Sequence, residues 1–268
     1  MAGIQWMMLH AVQSMQSQTL TTISIALSFL GNYASYMWLI AFTIWIRGEK
    51  EGLQVGVLLL FTMTFTDLLK ILVHTSRPIG LPGIVSHYTQ SAAGASFPSG
   101  HAMAATVFWG CAARFARSPW RMLLLVIPVT IGLSRLYLGV HWPIDVIAGW
   151  VLGSAIVLLR FSLPSLFAII LLMITTVTLV PDTVEFGRFV ATVWLMSDVC
   201  TRLPRSLCPP RWLLRSSGWG LRARLTRKML VGSGGLCVIA YVLGTVAKAD
   251  LTVPFVTGIW VQLVATML

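Results

Sequence analysis

The chain has 268 residues, of which 57% are apolar and only 10% charged, with a mean hydropathy of +0.83 and a formal charge of +11. So few polar side chains cannot cover a water-soluble globule of this length. A basic excess scattered among long uncharged runs also lacks the solvated basic face that nucleic acid requires, so the composition is that of an integral membrane protein.

Residues 1–18 mix Trp6, Met7, Met8 and Leu9 with Gln and Ser, which suits a short helix lying in the interface better than a crossing. This stretch lacks the charged start, short apolar run and small-residue cleavage site of a signal peptide, so the first span is expected to stay in the mature protein. A helical crossing takes about 20 apolar residues. Runs of that kind fall near 20–46, 52–73, 97–117, 119–138, 142–160 and 163–180, and define an expected core over 19–180. Residues 181–268 are expected to extend the bundle with a short crossing at 187–201, a basic loop at 201–228 and two spans at 229–247 and 251–268. The expected fold class is therefore all-α, a polytopic transmembrane helix bundle of eight or nine spans with a six-helix core.

Lys and Arg in short loops set the orientation. Arg47 and Lys50 follow the first run, Arg114, Arg117 and Arg121 separate the third from the fourth, and Arg160 follows the fifth. These ends are expected in the cytoplasm. Residues 201–228 carry eight basic residues and no acidic one, which puts that loop on the same side, favours nine spans and leaves the N-terminus outside. The loop is read as a topology determinant; attraction to anionic headgroups is the alternative. Cys111, Cys200, Cys208 and Cys237 show no C-x-x-C spacing, so neither a disulfide framework nor a zinc site is expected.

Asp67, Lys70, Arg135 and Asp145 fall in or at the ends of apolar runs, where charge is expensive and faces a protein interior or a watery cavity. Because successive spans alternate in direction, Lys70, Arg77, His101, Arg135 and His141 all fall at one side of the membrane, opposite the basic loops. Three cations converging there would hold a multiply charged phosphate. Any one of them alone could equally be a snorkelling side chain at a helix end. Asp145 follows His141 by one helical turn, so its carboxylate can hold one imidazole nitrogen and leave the other as a nucleophile. In Ser96-Phe97-Pro98-Ser99-Gly100-His101, Ser96 is read as a helix N-cap, Pro98 as a first-turn residue and Gly100 as the point of close phosphate approach. Asp67 is read as structural, His74 and His87 as solvated loop residues, His10 as interfacial, and the loop 74–96 as either a lid or a connector.

Lys70, six residues, Arg77-Pro78; then Pro98-Ser99-Gly100-His101; then Ser134-Arg135, five residues, His141, three residues, Asp145: this order and spacing resembles the three-part signature of the type-two phosphatidic acid phosphatase superfamily. The likeness covers roughly 27–155, including a Phe29-Leu30-Gly31 element similar to the start of the bacterial lipid phosphatase and dolichyl-diphosphatase-like branches. The resemblance implies that His141 attacks phosphorus, Asp145 orients that imidazole and His101 protonates the departing oxygen. It further implies that Lys70, Arg77, Ser99, Gly100 and Arg135 bind the phosphoryl oxygens, each well-placed donor contributing ~3 kcal/mol to the transition state. No cofactor and no metal is implied. The expected partners are a lipid phosphate substrate and the bilayer, with no nucleic acid; the expected place is a bacterial plasma membrane with the site on the extracytoplasmic side. Polyprenyl diphosphate is the first-choice substrate, ahead of phosphatidic acid and phosphatidylglycerophosphate. A phosphotransferase using the same phosphohistidine, and a non-catalytic lipid binder or transporter, stay open as alternatives.

Overall fold

The computed structural model describes residues 2–92 and 94–158. The regular structure there is helical: α1 (Ala2–Gln13), α2 (Gln18–Phe29), α3 (Tyr33–Arg47), α4 (Glu49–Val73), α5 (Gly100–Phe115), α6 (Trp120–Tyr137) and α7 (Pro143–Leu158), with one 3-10 turn at Thr89–Ser91. Local chemistry sets several ends. The Ser17 hydroxyl accepts from Leu20 N and caps α2. Gly48 turns the chain between α3 and α4 at φ +114°, and Pro143, which has no N–H to lose, opens α7.

The described residues divide between two compact units, 2–36 with 58–158 in one and 37–57 in the other. In the described part of the second, Gly48 and Gly52 let the start of α4 fold back on Ile44, and Phe42 lies edge-on to Trp45. In the first, α5 is the central helix and packs along both α6 and α7. Its residues are mostly small and buried on several sides, Ala102, Met103, Ala105, Val107 and Phe108 among them, as befits a helix surrounded by others. Gly149 and Gly153 of α7 face it; added Cβ atoms would stand 2.8 Å from Ser99 O and 2.8 Å from Met103 O. Only bare backbone permits that approach. The outer faces of α6 and α7 carry exposed Trp120, Met122, Leu123, Val126, Ile147 and Val151, side chains suited to lipid.

The described helices overlap the expected runs up to residue 158, with one correction. The 20–46 run is not a continuous helix: it stops at Phe29 and restarts at Tyr33, because Gly31 and Asn32 turn in against His101. Among the described residues, Lys50–Val73 and Trp120–Tyr137 are each long and apolar enough to cross, and α2 with α3 would make a third, bent crossing. α5 and α7 have 16 residues each, their starts being fixed by the Pro98-Ser99 and Trp142-Pro143 segments. At 1.5 Å per residue each is roughly 24 Å long. The expected interfacial segment 1–18 contains α1, which packs on α6 and α7. There Gln13 donates to Val85 O and Tyr137 O and accepts from Val85 N. The runs at 163–180, 187–201, 229–247 and 251–268, and the basic loop 201–228, lie outside the described residues.

Candidate active site

The site forms where the loop before α5, the end of α6 and the start of α7 meet. Thr75 ties the loop down: its carbonyl accepts from Ser96 N at 2.8 Å and its hydroxyl from Phe97 N at 3.0 Å. Ser99 N donates to Asp145 O at 2.9 Å, which joins this loop to α7. α5 therefore begins at Gly100 with Ser99 as its N-cap residue, and Ser96 is not the cap the sequence suggests. The Ser96 hydroxyl goes instead to Asp145 Oδ2 at 2.5 Å, because a bond to a carboxylate outcompetes one to a helix N–H. Pro98 consequently precedes the helix. Ser99 Oγ makes no capping bond and is buried without a hydrogen-bond partner. Gly100 faces α4, where an added Cβ would stand 3.3 Å from Thr66 Cγ2, so tight helix packing also favours glycine there.

His141 is 2% exposed and Asp145 1%. His141 Nδ1 lies 3.4 Å from Asp145 Oδ2, which also accepts from Ser96 Oγ and from Trp142 N at 2.8 Å. On the other edge of the ring, Arg77 Nη1 lies 3.0 Å from His141 Nε2. A guanidinium only donates, so Nε2 presents its lone pair and Nδ1 keeps the proton facing Asp145. Burial, then the charges of Arg77, Arg135 and Lys70, push His141 well below the usual histidine range, so the ring is neutral. Arg77 is held by Gly94 O at 3.0 Å, Ala95 O at 3.1 Å and Val140 O at 2.8 Å. Burial lowers its guanidinium to about 10, against the opposing pull of Asp145, which leaves it cationic at neutral pH.

Arg135 is fully buried at the end of α6. Its Nη1 donates to Ser28 Oγ and to Ser91 Oγ, its Nη2 to Ser91 O at 3.2 Å, and its Nε is buried without a partner. Lys70 occupies the last turn of α4, and its charge bears on both His101 and His141. His101 is the second residue of α5, with Nε2 2.8 Å from Asn32 Oδ1. All eight residues that the sequence singles out thus fall in one neighbourhood. His74, by contrast, is exposed, and His87 contributes its backbone N–H to Leu138 O. The loop 74–96 is tied down at Thr75, Ser86, His87 and Ser96, and supplies two of the three carbonyls that hold Arg77.

Sequence reasoning missed Ser96's bond to Asp145, Asn32's to His101, and the two serines on Arg135. Ser28 and Asn32 left one trace, as polar residues flanking Gly31 inside an apolar run. Ser91 left none, since small polar residues in a loop are unremarkable. Among the described residues no group of three or more His, Cys, Asp or Glu side chains comes together as a metal cradle.

Residues 51–168 match the sequence pattern of the PAP2 superfamily. The chain is 31% identical over 152 residues to an undecaprenyl-diphosphatase of Sulfolobus acidocaldarius, covering 54% of this chain and 73% of that protein. It is 30% identical over 138 residues to the putative undecaprenyl-diphosphatase YbjG of Escherichia coli K12, covering 49% and 68%. A crystal structure of a transmembrane PAP2 type phosphatidylglycerolphosphate phosphatase from Bacillus subtilis superposes with a TM-score of 0.50 at 25% identity, over 59% of this chain and 83% of that one.

Proposed function

The chain belongs to the PAP2 superfamily of membrane lipid phosphatases, and from that membership we propose that it hydrolyses a lipid-linked diphosphate at the extracytoplasmic face of a bacterial plasma membrane. It is a hydrolase of phosphoric ester or anhydride bonds and an integral, multi-span membrane protein. Two relatives named as undecaprenyl-diphosphatases support the diphosphate and the polyprenyl tail. A site at the bilayer surface suits a substrate whose tail stays in the hydrocarbon. Eight or nine spans, a core over 19–180 and a C-terminal extension complete the proposal, with positive loops at 47–50 and 114–121 in the cytoplasm.

One observation carries the mechanism: a neutral, buried imidazole whose Nε2 lone pair faces a guanidinium while Nδ1–H faces a carboxylate. His141 Nε2 attacks phosphorus, and the bond from phosphorus to the leaving oxygen breaks with its electron pair on that oxygen. His101 supplies the proton. Asp145 stabilises the cationic ring that forms, and its three donors hold it in place. Water then attacks the phosphohistidine, His101 takes the proton from that water, and phosphate leaves with Nε2 restored. Arg77, Lys70, Arg135, Ser99 and Gly100 bind the phosphoryl oxygens. Ser99 Oγ and Arg135 Nε, both buried without partners, are donors that such oxygens would satisfy.

The test is phosphate release by the purified protein in detergent with a chelator present, from polyprenyl diphosphate, phosphatidate, phosphatidylglycerophosphate and a soluble sugar phosphate. Preference for polyprenyl diphosphate, unaffected by chelation, is expected. Preference for the sugar phosphate overturns the lipid assignment, and label passing to an added alcohol in place of water would identify a transferase.

A further inference from the structure

Asn32 and Tyr88 have no part in the steps above. Between α2 and α3 the chain turns through Gly31 N to Ser28 O at 2.9 Å and Asn32 N to Phe29 O at 3.1 Å. The turn presses on His101: a Cβ on Gly31 would stand 2.8 Å from His101 Cδ2. Asn32 Oδ1 is 2.8 Å from His101 Nε2, and Asn32 Nδ2 donates to Tyr88 Oη at 3.3 Å. Tyr88 has φ 54° and ψ 43°, a left-handed backbone that an aromatic residue adopts only where its surroundings impose it. With the amide nitrogen engaged by Tyr88, the amide oxygen faces the imidazole. That oxygen only accepts, so His101 Nε2 carries a proton whether the ring is neutral or cationic. The mobile proton therefore belongs to Nδ1.

Resting on the phosphatase reading, we propose that Asn32, oriented by Tyr88, is a positioning residue for the acid step: it fixes the His101 ring so that Nδ1 delivers the proton, and its carbonyl supports the imidazolium through Nε2–H. Lys70, Arg77 and Arg135 bear on His101 with positive charge, which opposes its imidazolium until the negative charge of a bound phosphate offsets it. The negative end of the Asn32 amide dipole faces the ring among them. When the bond to phosphorus breaks, the Nδ1 proton passes to the departing oxygen and the ring is left neutral with Nε2–H still on Asn32. In the second half Nδ1 takes a proton from the attacking water.

The experiment compares the full-length protein with Asn32→Leu, Asn32→Asp and Tyr88→Phe on two substrates. One is a lipid monophosphate, whose alkoxide leaving group needs a proton; the other is p-nitrophenyl phosphate, whose phenolate does not. For Asn32→Leu, kcat/KM, which reports only the steps up to formation of the phosphoenzyme, is expected to fall ~10²-fold on the lipid monophosphate, in the range of general-acid contributions, with a much smaller loss on p-nitrophenyl phosphate. Asn32→Asp keeps an acceptor and is expected to recover most of the alkyl activity. Tyr88→Phe, which removes only the anchor, gives the same selective loss to a smaller degree. Should Asn32→Leu fail to elute as folded protein, the other two variants decide. Equal losses of kcat/KM on both substrates, or Asn32→Asp as impaired as Asn32→Leu, overturn the proposal. Absence of phosphate release by the wild-type protein from these substrates and from polyprenyl diphosphate overturns the phosphatase reading itself, and this inference with it.

Discussion

Asp145 Oδ2 takes donors from Ser96, Trp142 and His141, so the orientation of the proposed nucleophile depends on a serine 45 positions away in sequence as well as on the carboxylate one turn along. Removing that donor in Ser96→Ala should lower kcat roughly tenfold with KM unchanged, the signature of support felt in the transition state. His141→Ala should abolish turnover by at least about 10³-fold and prevent trapping of labelled phosphoenzyme, whereas His101→Ala should slow phosphate release ~10²-fold or more. Rapid-quench labelling separates these outcomes; labelled enzyme from His141→Ala would contradict the assignment. The same histidine gives a pH prediction. Its folded value lies well below the ordinary ~6.5, so below that pH the unfolded chain binds a proton that the folded chain does not. Stability therefore falls as pH drops from about 6.5 towards the folded value. Thermal unfolding in detergent at a series of acidic pH values should show this slope in wild type and a shallower one in His141→Gln.

The helices do more than carry side chains to the site. α7 approaches α5 across Gly149 and Gly153, and the first of these touches the Ser99 carbonyl, so the spacing of the two helices also sets how the loop before α5 meets Asp145. Gly153→Val would drive a branched side chain into Met103 O and Thr106. It should cost ~1–3 kcal/mol, read as a lowered unfolding midpoint in detergent. The Gly149-x-x-x-Gly153 spacing was not singled out in the sequence, and its partner could not have been, because a small-residue face specifies close approach without saying to which helix. The same limit applies at the break between α2 and α3. Hydropathy averages over a window and reads 20–46 as one apolar run, yet a turn of three residues inside it brings Asn32 to His101. Ser96 was misread for a related reason: an N-cap rule weighs only local N–H groups, and a distant carboxylate won.

At the scale of the molecule, membrane residence follows from composition and family, while sidedness rests on the distribution of Lys and Arg. A membrane-impermeant thiol reagent applied to intact cells, with the native cysteines replaced by serine, should label Leu81→Cys in the site-side loop and spare Ser118→Cys between α5 and α6. The reverse pattern would invert the proposed orientation. The sequence by itself determined the solvent, the helical class and the phosphatase family. Apolar runs report transfer into lipid residue by residue, and the spaced Lys70, Arg77, His101, Arg135, His141 and Asp145 carry their chemistry as residue types. Only the tertiary structure decided which atoms meet. The pairs Arg77 with His141, Ser96 with Asp145 and Asn32 with His101 are separated by 64, 49 and 69 positions, distances at which no local periodicity operates and contact depends on how the helices pack.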